Sequence, residues 1–118
     1  WEEFAKTGHV PDASKMHFVF RAITPPGRTR RFDARFFLIE AEELKTNLDD
    51  FSMASDELCH LQWIPIKDTK KFDLPFITQV VLAEITGNLA KTGSPILVPF
   101  YQNTTEETLI YYINEDEV

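Results

Sequence analysis

The sequence predicts an α/β fold of the α+β kind, in which helices flank a mixed β-sheet. Two runs rich in Phe, Val and Ile, Met16–Ile23 and Phe32–Ile39, predict strands, and the short connection between them predicts an antiparallel hairpin. Farther along, apolar residues at helical spacing predict an amphipathic helix over Leu74–Thr86. With 118 residues and a hydrophobic content of 43%, residues 1–118 are expected to form a single domain.

The first elements are predicted from spacing and turn residues. Trp1, Phe4 and Ala5 share a helical face that ends at Gly8, which indicates the last turns of a helix. Pro25-Pro26-Gly27 ends the first strand. Alternation along the second strand predicts two faces: Ala34, Phe36 and Leu38 on one, and Asp33, Arg35, Phe37 and Ile39 on the other.

The middle of the chain is predicted to form a loop, a strand and a helix. The polar, acidic stretch Glu40–Glu57 predicts an irregular surface loop, and Leu58–Ile66, which contains Trp63, predicts a third strand. Asp68–Phe72 is typical of one helical turn. The helix over Leu74–Thr86 is then expected to have Asp73 as its N-cap, Pro75 in its first turn and Gly87 at its end.

Two further strands are predicted near the C-terminus. Ile96–Tyr101 and Thr108–Ile113 have strand composition, and the polar turn Gln102–Glu107 separates them. The acidic end, Asn114–Val118, is expected to fray. The pair completes a mixed sheet around the predicted hairpin.

The charge distribution predicts a local anion site on an acidic protein. The net charge of −7 disfavours binding to nucleic acid or to an acidic membrane surface. All five arginines nevertheless lie between Arg21 and Arg35. This window contains one acid, Asp33, and carries a net charge of +4. Guanidinium groups suit bidentate contact with phosphate. The candidate substrate-binding residues are therefore Arg21, Arg28, Arg30, Arg31 and Arg35.

The arginines also have a purely structural interpretation. Charge runs are usually solvated faces, so Arg28, Arg30 and Arg31 would form an exposed turn. In this interpretation the sheet residues Arg21 and Arg35 pair with acids such as Asp33. The chain has a single cysteine, no apolar run near the ~20 residues that a membrane-spanning helix needs, and no signal-peptide pattern, and these features favour a cytoplasmic setting.

Three motifs in order resemble the C-terminal part of Nudix hydrolases. They are the run Arg31–Phe37 after the turn Thr24–Gly27, the run Leu61–Ile66 around its tryptophan, and Asp73-Leu74-Pro75 opening an apolar helix. The bacterial branch similar to coenzyme A and related nucleotide diphosphatases gives the best match, over about Trp1–Leu89. The resemblance implies a Nudix-like sheet, seen here as the C-terminal portion of an incomplete domain.

The resemblance also implies an activity, together with one departure from the family. Nudix enzymes cleave a nucleoside diphosphate linked to another moiety, and the glutamates of their Nudix box hold Mg²⁺ or Mn²⁺ against the diphosphate. This chain contains no Nudix box. We therefore expect a hydrolase fragment that is inactive alone and binds no metal itself. Asp56 and Glu57 are the candidates for an auxiliary metal ligand, and Glu57 for a general base.

The alternative interpretation is a catalytically silent Nudix-like module for binding or assembly. The two interpretations differ in whether the coding sequence contains a Nudix box before Trp1. Both leave a sheet edge and an apolar face to be covered, which predicts self-association of the chain.

Overall fold

The fold was determined from a computed structural model, which describes residues 1–52, 54, 60–89, 97–103 and 108–113. The chain begins with a short helix and contains a four-stranded sheet and one long helix. In chain order the elements are α1 (Glu2–Ala5), β1 (His17–Ile23), β2 (Asp33–Leu38), α2 (Phe76–Leu89), β3 (Val98–Asn103) and β4 (Thr108–Ile113). Short 3-10 helices cover Ala41–Glu43 and Ile66–Lys71.

The four strands form one mixed sheet in the order β2-β1-β3-β4. β1 pairs antiparallel with β2 and parallel with β3, and β3 pairs antiparallel with β4. The predicted hairpin and the predicted C-terminal strand pair are confirmed. The mixed α+β class is confirmed with them.

The alternation predicted for β2 is confirmed by its burial. Residues Asp33, Arg35 and Phe37 are exposed, and Ala34, Phe36 and Leu38 between them are partly buried. The register of β1 shifts between Phe18 and Phe20, so Val19 is an extra residue opposite β2. Such a bulge turns the side chains before it to the other face, which explains why the Phe18 ring meets Phe37 at 5.5 Å.

Helix α2 covers one face of the sheet and builds the main core there. Phe20 and Ala22 of β1 pack with Val81 of α2 in one buried cluster. The apolar positions predicted for the helix all join this cluster: Ile77, Val80, Val81 and Ile85. A second cluster consists of Val98, Phe100 and Ile113, with Phe18 and Ile23 against it.

The predicted ends of this helix were wrong by two or three residues. Pro75 precedes the helix, and its carbonyl accepts the N–H of Gln79 at 3.1 Å. Proline disfavours helical geometry in the residue before it, so Leu74 stays outside and Asp73 is not the N-cap. Gly87 does not end the helix, which continues to Leu89.

The strand predicted around Trp63 was wrong. Residues 60–65 form no strand, and Leu58 and Cys59 lie outside the described residues. Trp63 is 58% exposed, and its indole Nε1 donates to the Leu48 carbonyl at 2.8 Å. Aromatic and apolar composition therefore does not suffice for a strand here, because residues 60–65 pair with none of the four strands of the sheet.

Three smaller elements can be compared with their predictions, and the turn predicted over Gln102–Glu107 was wrong at its start, because β3 extends to Asn103. The loop after β2 has no strand or α-helix in residues 40–52, and one 3-10 helix replaces the helical turn predicted over Asp68–Phe72. Gly8 follows α1 with φ of +77°, as a helix-ending glycine does. Residues 104–107 and 114–118 lie outside the described part. Among the described helices, none has the length and apolarity to cross a bilayer.

Candidate functional site

The turn that carries the arginines is held by the residues at its two ends. Thr24 accepts the N–H of Phe32 on its Oγ1 at 3.0 Å, and its own N–H donates to the Phe32 carbonyl at 2.9 Å. Arg31 adds a bond from its Nε to the Thr24 carbonyl at 3.0 Å. Gly27 has φ of +84°, a conformation that suits glycine. The connection between β1 and β2 is thus a closed turn rather than an open loop.

Arg28 and Arg30 lie within this turn and are exposed to solvent. Among the described residues, neither side chain has an ion-pair partner within 4.0 Å. Arg31 is also exposed, although its Nε is used by Thr24. The turn therefore holds the guanidinium groups that are most accessible to an anion.

Arg21 and Arg35 occupy different surroundings, because both pair with Asp33. Arg21 makes a bidentate bridge, with its Nε at 2.9 Å from Asp33 Oδ1 and its Nη2 at 2.8 Å from Oδ2. Arg35 Nη2 lies 3.6 Å from the same Oδ2. Since Arg21 and Arg35 are directly opposite in the sheet, one carboxylate lies between two facing cations and reduces their repulsion. The prediction that Arg21 and Arg35 pair with Asp33 in the sheet is therefore confirmed.

The bridge shifts the titration of both partners. The hydrogen bond from Arg21 holds the pKa of Asp33 below its usual value, and the charges of Arg21 and Arg35 act in the same direction. The same hydrogen bond raises the pKa of Arg21. Asp33 is therefore ionised, and Arg21 is charged, throughout the neutral range.

Arg21 also lies against an aromatic side chain that the sequence did not single out. Its guanidinium carbon is 4.6 Å from the centre of the Phe100 ring, which is a cation–π distance. The Tyr111 ring packs edge-on against Phe100 at 4.8 Å, and its hydroxyl donates to Gln102 Oε1 at 3.0 Å. Only the pairing of β1 with β3 brings these residues to Arg21, so no local signal predicts the contact.

The register defines one row across the whole sheet. Arg35, Arg21, Phe100 and Tyr111 are successive partners from β2 to β4. They lie on the face opposite α2, since Phe20 and Ala22 on either side of Arg21 pack with the helix. The exposed side chains Phe37 and Leu109 lie on the same face by register. This face, which we call the arginine face, also carries the buried cluster of Val98, Phe100 and Ile113, so it is covered there and exposed at Phe37 and Leu109.

The metal candidates of the sequence cannot be located. Asp56 and Glu57 lie outside the described residues. Within the described ranges, no three His, Cys, Asp or Glu side chains come together in one group.

No protein-family model, curated protein or solved structure matches the chain.

Proposed function

We propose that the chain is the later part of a Nudix-like hydrolase domain, and that its arginine turn binds a phosphate group of a nucleotide diphosphate. The observation that supports the proposal is the division of the arginines between two environments. Arg21 and Arg35 pair with Asp33 within the sheet, whereas Arg28 and Arg30 are exposed on a closed turn and have no ion-pair partner among the described residues. A stiff turn with accessible guanidinium groups suits phosphate at a modest entropic cost.

The proposal gives the five candidate arginines different roles. Arg28 and Arg30 contact the phosphate directly, and Arg31 contributes its terminal nitrogens while its Nε holds the turn. Arg21 and Arg35 serve the sheet, because Asp33 already occupies the donors of Arg21. In this proposal, a Nudix box in the parent enzyme holds any divalent cation required for hydrolysis.

A binding experiment tests the turn. The titration of the chain with ADP-ribose or inorganic pyrophosphate by calorimetry should show binding that the double variant Arg28→Glu, Arg30→Glu weakens about tenfold or more. That factor corresponds to about 1.4 kcal/mol, within the range for hydrogen bonds to charged groups. The matched control is Lys67→Glu, Lys70→Glu, which changes the net charge equally at exposed residues of the 3-10 helix.

Two results would contradict the proposal. Equal weakening by the turn variant and the lysine control would show a general charge effect rather than a site. Magnesium-dependent diphosphatase turnover by the chain alone would contradict the expectation that it lacks the catalytic metal ligands. In the full-length enzyme, the turn variant should raise KM for the nucleotide substrate.

The alternative proposal is a catalytically silent module for binding or assembly. Two apolar side chains on the arginine face support it, because Phe37 and Leu109 are exposed there although Phe100 between them in the sheet is buried. Such faces of a sheet usually pack against another layer. The corresponding prediction is self-association of the chain in analytical ultracentrifugation, which Leu109→Lys should reduce. The control Leu89→Lys, at an exposed apolar position on α2, should leave it unchanged.

A further inference from the structure

Strand β4 is an outer strand of the sheet, and its free side carries main-chain groups. β4 follows β3 at the end of the strand order, so within the described part of the chain only one of its sides is paired. An outer strand with unpaired N–H and C=O groups is a template for another strand. The character of the strand decides whether this template is protected.

Pro99 reveals which groups of β4 face the free side. Opposite residues in an antiparallel pair alternate between those that exchange two hydrogen bonds and those that exchange none. Pro99 has no N–H, so its pair with Tyr112 belongs to the second kind. By alternation the pair of Tyr101 with Ile110 does too. The N–H and C=O groups of Ile110 and Tyr112 therefore point away from β3, toward the free side.

The side chains of β4 give the strand no protection. All six of its residues are uncharged, from Thr108 to Ile113. Ile110 and Tyr112 are 54% and 57% exposed, although they share a face with α2, because the helix lies over β1 instead. The opposite outer strand, β2, carries Asp33 and Arg35 and faces a bulge, which are features that discourage strand addition.

The sequence on both sides of β4 is acidic. Residues 106–107 and 115–117 contribute five carboxylates, and no Lys or Arg occurs after Lys91. These acids are within a few residues of the strand along the chain. A second copy added antiparallel to β4 would bring acidic sequence against acidic sequence at both ends, whereas a basic partner would be attracted.

We propose that the free side of β4 binds an extended segment of a partner protein by strand addition. The segment has β-branched or apolar residues at its centre and Lys or Arg at both ends. Its main chain pairs with Ile110 and Tyr112, and its basic ends suit the acidic residues that precede and follow the strand in the sequence. This inference does not depend on the phosphate role of the arginine turn, which lies at the other end of the sheet order.

A peptide probe tests the proposal. The fluorescein-labelled peptide KKVTVTVTKK should bind the chain in an anisotropy titration, and EEVTVTVTEE should bind at least about tenfold more weakly because its ends repel. KKVTPTVTKK should also bind more weakly, by about fivefold, since proline removes a main-chain donor. Binding of the basic peptide should weaken between about 0.1 M and 1 M salt, as the Debye length falls from about 10 to 3 Å.

Variants of the chain locate the binding on β4. Ile110→Pro removes an N–H on the free side without removing a bond to β3, and it should weaken the basic peptide about fivefold or more. The matched control Ile110→Thr keeps the N–H and the β-branch, and it should bind within about twofold of the original chain. Circular dichroism establishes that both variants are folded. If Ile110→Pro does not fold, the peptide containing proline carries the same test.

Three results would overturn the proposal. One is equal binding of the basic and acidic peptides, and another is equal binding of the two basic peptides with and without proline. The third is a dimer of the chain alone that Ile110→Pro abolishes, because it would show that a second copy occupies the free side. Loss of phosphate binding in the Arg28→Glu, Arg30→Glu variant with retained peptide binding would separate this site from the arginine turn.

Discussion

The bridge between Arg21 and Asp33 offers the sharpest test of the physical reasoning, through the substitution Asp33→Asn. Asparagine keeps the shape of the side chain and removes its charge. The side chains of Arg21 and Asp33 are 22% and 37% exposed, so the pair is screened less than a fully solvated one but is not buried. We therefore expect the pair itself to contribute about 1 kcal/mol, the upper end for surface pairs.

The facing arginines increase this loss. Without the carboxylate, Arg21 and Arg35 are like charges directly opposite each other across two strands, which costs roughly another 0.5 kcal/mol. The expected decrease in the free energy of unfolding is thus about 1.5 kcal/mol. Urea unfolding at pH 7, followed by circular dichroism, measures it at constant m-value.

The pH dependence supplies an independent check with a definite sign. The pKa of Asp33 is lowered in the folded state, mainly by the hydrogen bond from Arg21. Its stabilisation is therefore fully present above the unfolded-state pKa of about 3.9, and it is lost as the pH falls through the lower, folded-state pKa. The original chain should lose stability in this acidic window more steeply than Asp33→Asn, so the two curves should converge.

A double-mutant cycle isolates the pair. Arg21→Met alone also removes the contact with Phe100, so only the coupling between Arg21→Met and Asp33→Asn reports the bridge, at about 1 kcal/mol. A coupling below about 0.3 kcal/mol would refute the assignment of stability to the bridge. If the free energies of unfolding of the original chain and of Asp33→Asn differ by the same amount at every pH, the lost stability comes from packing rather than from charge.

Three other substitutions test the core and the turns by urea unfolding. Phe20→Ala, at a fully buried ring that packs edge-on against Phe36, should cost about 3–5 kcal/mol, and a loss below about 1 kcal/mol would remove Phe20 from the core. Gly27→Ala should cost about 1–2 kcal/mol through its positive φ alone, since a Cβ there meets no atom within 4 Å. Trp63→Phe keeps an aromatic ring but loses the hydrogen bond to the Leu48 carbonyl, so the free energy of unfolding should fall by about 0.5–1 kcal/mol. An unchanged free energy of unfolding would contradict a stabilising role for this bond.

Local patterns in the chain account for most of the secondary structure. The hairpin of β1 and β2, the alternation along β2 and the apolar face of α2 follow from spacing and turn residues, and the structure confirms them. The segment around Trp63 shows the limit of this reasoning. Its composition suits a strand, but a strand also needs a partner, and pairing is decided by chain segments that are distant in sequence.

The candidate site divides in the same way. The clustering of arginines between β1 and β2, and the pairing of Arg21 with Asp33, were predictable because a hairpin brings nearby residues face to face. The contact of Arg21 with Phe100 was not, since it depends on the parallel pairing of β1 with β3. That pairing also leaves β4 as the outer strand. Short-range periodicity thus determined the elements, whereas their long-range hydrogen bonding decided which side chains meet and which strand stays open.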